Sequence, residues 1–199
     1  MESAKSLDLR KQTNHLEHIL LQSDVVKEVL KLAPKLEMPN WYLGAGCIAQ
    51  TVWNFQHGFD LTKGIKDCDL VYFDASNISS EAQERHIQHG KEVFKNISLP
   101  VEIVNEARVH LWYEEEFGQK ISPYKSAEEA ISEWPTTATG VAVRYDKSDI
   151  FTVFAPYGLS DLFGLILRPN KLKITKDIYS AKTERWTKIW PKLKVIPWD

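Results

Sequence analysis

Asp67 and Asp69 stand one residue apart at the head of the apolar run Leu70-Val71-Tyr72-Phe73. They follow the glycine-rich stretch Trp41-Tyr42-Leu43-Gly44-Ala45-Gly46-Cys47 by about twenty residues. Side chains alternate along a strand, so Asp67 and Asp69 share one face and Cys68 and Leu70 the other. Two carboxylates about 7 Å apart can hold a divalent cation such as Mg2+ or Mn2+ between them. A glycine turn that opens a helix offers backbone N–H groups to a phosphate. A third acid, Glu102, lies in Leu99-Pro100-Val101-Glu102-Ile103-Val104, a run that alternates as a strand. If that strand lies beside 67–73, Asp67, Asp69 and Glu102 supply the carboxylates needed to neutralise charge on a transferring phosphorus, and Glu102 is placed to take a proton from an acceptor hydroxyl. Read singly, an aspartate pair before an apolar run is also an ordinary polar strand entry.

Other chemistries find less support. Gly44-Ala45-Gly46-Cys47-Ile48-Ala49 also matches the dinucleotide-binding G-x-G-x-x-A. That reading leaves Asp67 and Asp69 unexplained, places Asp74 late for a ribose contact, and lacks a second βαβ half. His57, His86 and His89 have no partners at metal-ligand spacing, and Cys47 has no histidine of known proximity. Neither G-x-S-x-G nor a G-x-x-x-x-G-K-[ST] loop occurs. Arg108, His110 and Trp112 share a face only if their segment is extended.

The elements that must position these residues can be read from pattern. Residues 1–36 are expected as a helical front piece, with Leu16, Ile19 and Leu20 on one face. Ser23 or Asp24 caps a second helix that ends at Pro34. The 40–105 core then runs strand 41–43, a helix closed by His57-Gly58, loop 58–66, strand 67–73, a helix from Ser79 or Ser80 to about Asn96, and strand 101–105. In 106–199 we expect a helix over 106–117 with Ala107, Leu111 and Trp112 inward, and a Ser126-Ala127-Glu128-Glu129 capping box. A hairpin of 138–145 with 150–155 follows, then a short helix 162–167 capped by Ser160-Asp161, and a final helix over about 178–190. Trp186, Ile189, Trp190 and Leu193 on the final helix read as core. The alternation predicts an α/β (α+β) class and one domain over 1–199, with a small mixed sheet flanked by helices and the hairpin packed on it.

At 199 residues the chain can bury a full core. No apolar run approaches a membrane span, Met1–Lys5 lacks the apolar core of a signal peptide, and two cysteines make no disulfide framework, so a cytoplasmic setting is expected. The net charge of −2 hides an asymmetry: residues 168–199 hold nine Lys/Arg against three Asp/Glu, a net +6, which leaves −8 on the rest. Such a tail either meets a phosphorylated partner or is a solvated helix face. The overall balance leaves a nucleic-acid partner open without indicating one.

The ordered motifs WYLGAGCIAQTVWN, KDCDLVYFD, VEIVNEARVHLW, SPYKSAEEAISEWPTTATGVAVR and FAPYGLSDLF resemble a bacterial-type nucleotidyltransferase family, a distant branch of the DNA polymerase beta-like superfamily. The resemblance covers about residues 40–198. It implies that Gly44, Ala45, Gly46 and Cys47 hold the place of the superfamily's Gly-Ser turn against the triphosphate. By the same resemblance Asp67 and Asp69 are its metal-binding D-x-D pair, and Glu102 matches its third carboxylate. Thr137, Thr139, Tyr157, Gly158 and Asp161 fall in stretches typical of the family. This sequence departs from the pattern in having Gly-Cys for Gly-Ser, a longer gap between turn and aspartates, and Glu as the third acid. The implied activity is Mg2+- or Mn2+-dependent transfer of NMP from an NTP donor to an unidentified acceptor hydroxyl or phosphate. A catalytically silent nucleotide-binding module is the alternative, and a dinucleotide-binding oxidoreductase a further one.

Overall fold

The computed structural model describes residues 8–146 and 148–199, so the expectations for residues 1–7 and for Lys147 in the hairpin turn lie outside the described residues. Helix α1 (Leu9–Leu20) starts at Asp8, whose carboxylate accepts from the Lys11 amide. Helix α2 (Asp24–Leu32) starts at Ser23, whose hydroxyl accepts from the Val26 amide. Both caps satisfy first-turn amides that the helix itself leaves unpaired. Pro34 ends the α-helix but not the turn, because Ala33–Leu36 continues as a 3-10 segment. Strand β1 (Tyr42–Gly44) runs straight into α3 (Ala45–His57), and Gly58 closes that helix with a φ of 69°. Then come β2 (Cys68–Tyr72), α4 (Ser80–Val93, capped by Ser79) and β3 (Val101–Asn105). Asp67 therefore sits one residue ahead of its strand.

These strands and the hairpin β4 (Ala142–Tyr145) and β5 (Phe151–Phe154) make one five-stranded mixed sheet in the order β3-β2-β1-β4-β5. The hairpin does not pack on the sheet as expected but extends it, β4 pairing antiparallel with β1. β1 is also antiparallel to β2, and only β2 and β3 run parallel in this sheet. A dinucleotide fold needs β1 and the next strand parallel across a helix, so the G-x-G-x-x-A turn is not part of one.

Alternation splits the sheet. Leu43, Cys68, Leu70, Tyr72 and Ile103 face a core completed by α1, α2, α3 and the C-terminal helix. Tyr42, Val71 and Ala142 face the other side against Ala127 and Ile131 of α6 (Ala127–Ser132), a helix whose Ser126 hydroxyl accepts from the Glu129 amide as the capping box predicts.

Residues 106–117 form a 3-10 segment, Glu106–Leu111, followed by one short helix, α5 (Tyr113–Phe117). Three residues per turn break the i, i+4 face expected of an α-helix. Ala107 is buried, but Leu111 is 56% exposed, a correction to its expected inward position.

The short helix α7 spans only Ser160–Phe163, with Leu159 rather than Ser160 at its cap, and Ile166–Leu167 is not helix but a strand, β6. Asp161 is engaged elsewhere: it accepts from the Thr137 hydroxyl at 2.7 Å and from Arg168 Nε at 2.9 Å. The final helix α8 spans Lys176–Ile189, capped by Thr175, and β7 (Lys194–Val195) pairs parallel with β6. Trp186, Trp190 and Leu193 are buried as expected. Trp53 packs edge-on against Trp186 and Trp190 at 5.5 and 5.4 Å.

Candidate functional site

The glycine turn, the aspartate pair and the third acid meet because of strand register. Gly44 of β1 lies opposite Asp69 of β2, and Asp69 lies beside Glu102 of β3. Asp67, Asp69 and Glu102, together with Ala45 and Gly46, line one cavity of about 630 Å³. Gly44 and Cys47 fall behind its wall. A Cβ on Gly44 would sit 2.5 Å from Trp134 Cη2, so this ring, itself a cavity wall, closes over the turn only because the position is glycine. Cys47 is wholly buried and its thiol donates to the Gly44 carbonyl at 3.3 Å. Its partner Cys68 and desolvation hold the thiol in its protonated form. Ala45 adopts φ +53°, the left-handed region that a Cβ disfavours, at the point where strand becomes helix. Its amide is bonded to the Val141 carbonyl at 3.2 Å, while the Gly46 amide points at the Asp69 carboxylate.

The electrostatics mark Asp69. Burial first, then the charges of Asp67 and Glu102, push its carboxyl up to about 7, against the pull of the Gly46 amide and of Lys182. Gathering like-charged carboxylates is costly unless a cation joins them, and their hard oxygens suit Mg2+ or Mn2+. Among the described residues no three His, Cys, Asp or Glu side chains are already gathered as a metal shell. Mg2+ commonly takes one or two protein carboxylates and completes its shell with water and substrate phosphate, so these residues fit that ion.

Three groups in the cavity were not anticipated. Glu106, the next same-face position after Glu102 and Val104, is 5% exposed, and burial followed by the charge of Asp69 pushes it up to about 8. The 102-104-106 alternation is the signal that could have found it. Lys182 and Arg185 of α8 bring the basic tail to the site, so the tail is not only a solvated face. Burial, followed by Arg185, draws the Lys182 amine down, while Asp69 and Asp67 oppose it. Nothing in the sequence placed α8 beside the aspartates.

Trp112, Tyr113, Tyr124, Glu133, Trp134 and Thr139 close the remaining side. Trp112 is thus a cavity wall where the sequence suggested core, and Ile189 of the final helix's apolar stripe lines the cavity too. Arg108 instead donates to the Ile78 carbonyl, away from any phosphate role. The family-typical residues support the 132–140 segment. The Tyr157 hydroxyl donates to the Ser132 carbonyl at 2.6 Å, Thr136 and Thr139 hydroxyls share a bond of 2.8 Å, and Asp161 holds Thr137.

The mixed sheet thus carries a glycine turn against an aspartate pair, with a third acid on the neighbouring parallel strand. A nucleotidyltransferase family model matches residues 31–195, and the chain belongs to that family. Among solved structures it is similar to one whose description reads that the NMR structure "reveals a CCA-adding enzyme head domain", with a TM-score of 0.74, 19% identity, and coverage of 98% of this chain and 99% of that one. That likeness shows the fold. No match is found among curated proteins. Among the described residues no helix is long and apolar enough to cross a membrane.

Proposed function

We propose that this nucleotidyltransferase moves NMP from an NTP to an acceptor hydroxyl or phosphate with the help of Mg2+ or Mn2+, as a single domain. The observation that carries the reading is the register Gly44–Asp69–Glu102, which gathers the turn and the acids on one cavity wall. Asp67, Asp69 and Glu102 would hold the metal, which neutralises charge developing on the phosphorus when bound. Glu102, exposed at the cavity, is placed to receive the acceptor proton. Of the 44–47 turn, Ala45 and Gly46 would face the triphosphate, since Gly44 and the Cys47 side chain lie behind the wall. Lys182 and Arg185 add the cationic wall that a triphosphate needs.

The test is thermal stability against ATP, CTP, GTP and UTP, with and without Mg2+ or Mn2+, for wild type and Asp67→Asn/Asp69→Asn. A ligand at 100-fold its Kd stabilises by about 2.7 kcal/mol, so a shift of several degrees is expected that needs metal and vanishes in the double variant. A shift indifferent to metal and to the substitutions would refute the assignment. The silent-module reading draws on the acids of that wall not already forming a metal shell among the described residues and on the Gly46 amide being spent on Asp69; it predicts metal-dependent binding with no pyrophosphate released.

A further inference from the structure

The nucleotidyl-transfer reading leaves part of the cavity unassigned. The β2–β3 floor continues past Asp69 and Glu102 to the paired Val71 and Val104, both lining the cavity, and then to Glu106. Each same-face step along a strand is about 7 Å. A nucleotide whose α-phosphate is held at the carboxylates and whose sugar runs toward Val71 would lay its base along this floor. The valines give a flat apolar bed, and Tyr113 and Trp134 give aromatic walls on which a ring can stack, worth about 1–3 kcal/mol per base.

Two further acids, Glu106 and Glu133, also line the cavity. Glu106 is 95% buried yet lines the cavity, and its carboxyl takes part in no hydrogen bond among the described residues. Glu133 is bonded by the Tyr124 hydroxyl and ion-paired with Lys173 Nζ at 3.7 Å, yet its buried Oε2 has no hydrogen-bond partner. A buried polar oxygen without a partner is costly, and each such group in a native protein calls for a water, an ion, a ligand or strain to account for it. Whether ionised or protonated, each carboxyl presents an acceptor oxygen.

We propose, resting on the transfer reading above, that this part of the cavity receives the base of the donor nucleotide and that Glu106 and Glu133 select a base bearing an exocyclic amine over uracil. The amine of adenine, cytosine or guanine supplies N–H donors to these oxygens, whereas a uracil carbonyl can at most accept from a protonated carboxyl and offers the acceptor oxygens no donor. Discrimination of this kind is large because the site's own buried groups go unsatisfied with the wrong ligand.

Titration of the wild-type protein with ATP, CTP, GTP and UTP in Mg2+, read by calorimetry, decides it. At least one amino-bearing NTP is expected to bind about tenfold or more tightly than UTP, matching one good base contact. Glu106→Gln and Glu133→Gln, which keep shape, are expected to shrink that ratio several-fold. UTP binding as tightly as the best of the others overturns the proposal while leaving the transfer reading intact. An unchanged ratio in both variants also overturns it, and if Glu106→Gln does not fold, the wild-type ratio and Glu133→Gln still decide. Adenosine or cytidine binding to protein already saturated with UTP, uridine not, would move the selective pocket to the acceptor and overturn the donor assignment. No NTP binding at all would remove both readings together.

Discussion

A carboxylate held near two others where its own charge is largely desolvated weakens the fold for as long as it stays ionised. Asp69 titrates near 7 in the folded chain against its ordinary 3.8, so the native state grips the proton more tightly than the unfolded one. Its contribution is complete below about pH 4 and is lost as pH rises toward 7. Glu106, raised from 4.5 to about 8, acts in the same direction. Without added divalent ion the melting temperature should therefore fall between pH 5 and pH 8, and Asp69→Asn should flatten that fall while abolishing transfer. Melting curves at the two pH values check this, and an equal fall in wild type and variant would contradict the assignment. Gly44 sets a second limit at this scale. A methyl there meets Trp134 at 2.5 Å and Ala142 Cβ at 3.0 Å, so Gly44→Ala should cost about 1–3 kcal/mol in denaturant unfolding.

At the scale of elements, the cavity depends on α8 being fixed against α3. The Trp190 indole N–H donates to Asn54 Oδ1 at 2.7 Å, and Asn54 Nδ2 donates to the Leu61 and Lys63 carbonyls. One buried amide thus joins α3, α8 and the 58–66 loop that delivers Lys66 and Asp67. Trp190→Phe keeps a ring packed edge-on against Trp53 but strands that oxygen, at a cost of about 1–3 kcal/mol. NTP binding should weaken with it, although Trp190 does not line the cavity; calorimetric titration of the folded variant measures that coupling. The strand-to-helix junction behaves oppositely. Ala45 holds φ +53°, and Ala45→Gly should stabilise by about 1 kcal/mol, read by chemical denaturation.

Across the whole molecule, legibility followed locality. Helix caps at Ser23, Ser79 and Ser126, the hairpin and the Asp67/Asp69 face were all visible, because each is set by residues a few positions apart. Glu102 could be placed on a face by alternation, but its pairing with Asp69 is a long-range register. The 3-10 turn after β3 was hidden because composition alone does not separate it from an α-helix. Lys182 and Arg185 were hidden because only packing of Trp186 and Trp190 on Trp53 brings α8 over the acids. That same packing has an optical consequence. Three of the seven tryptophans, Trp112, Trp134 and Trp186, border the cavity, so the protein carries its own fluorophores where a ligand would displace water. Its intrinsic emission is a label-free gauge of occupancy, built in by the residues that shape the walls.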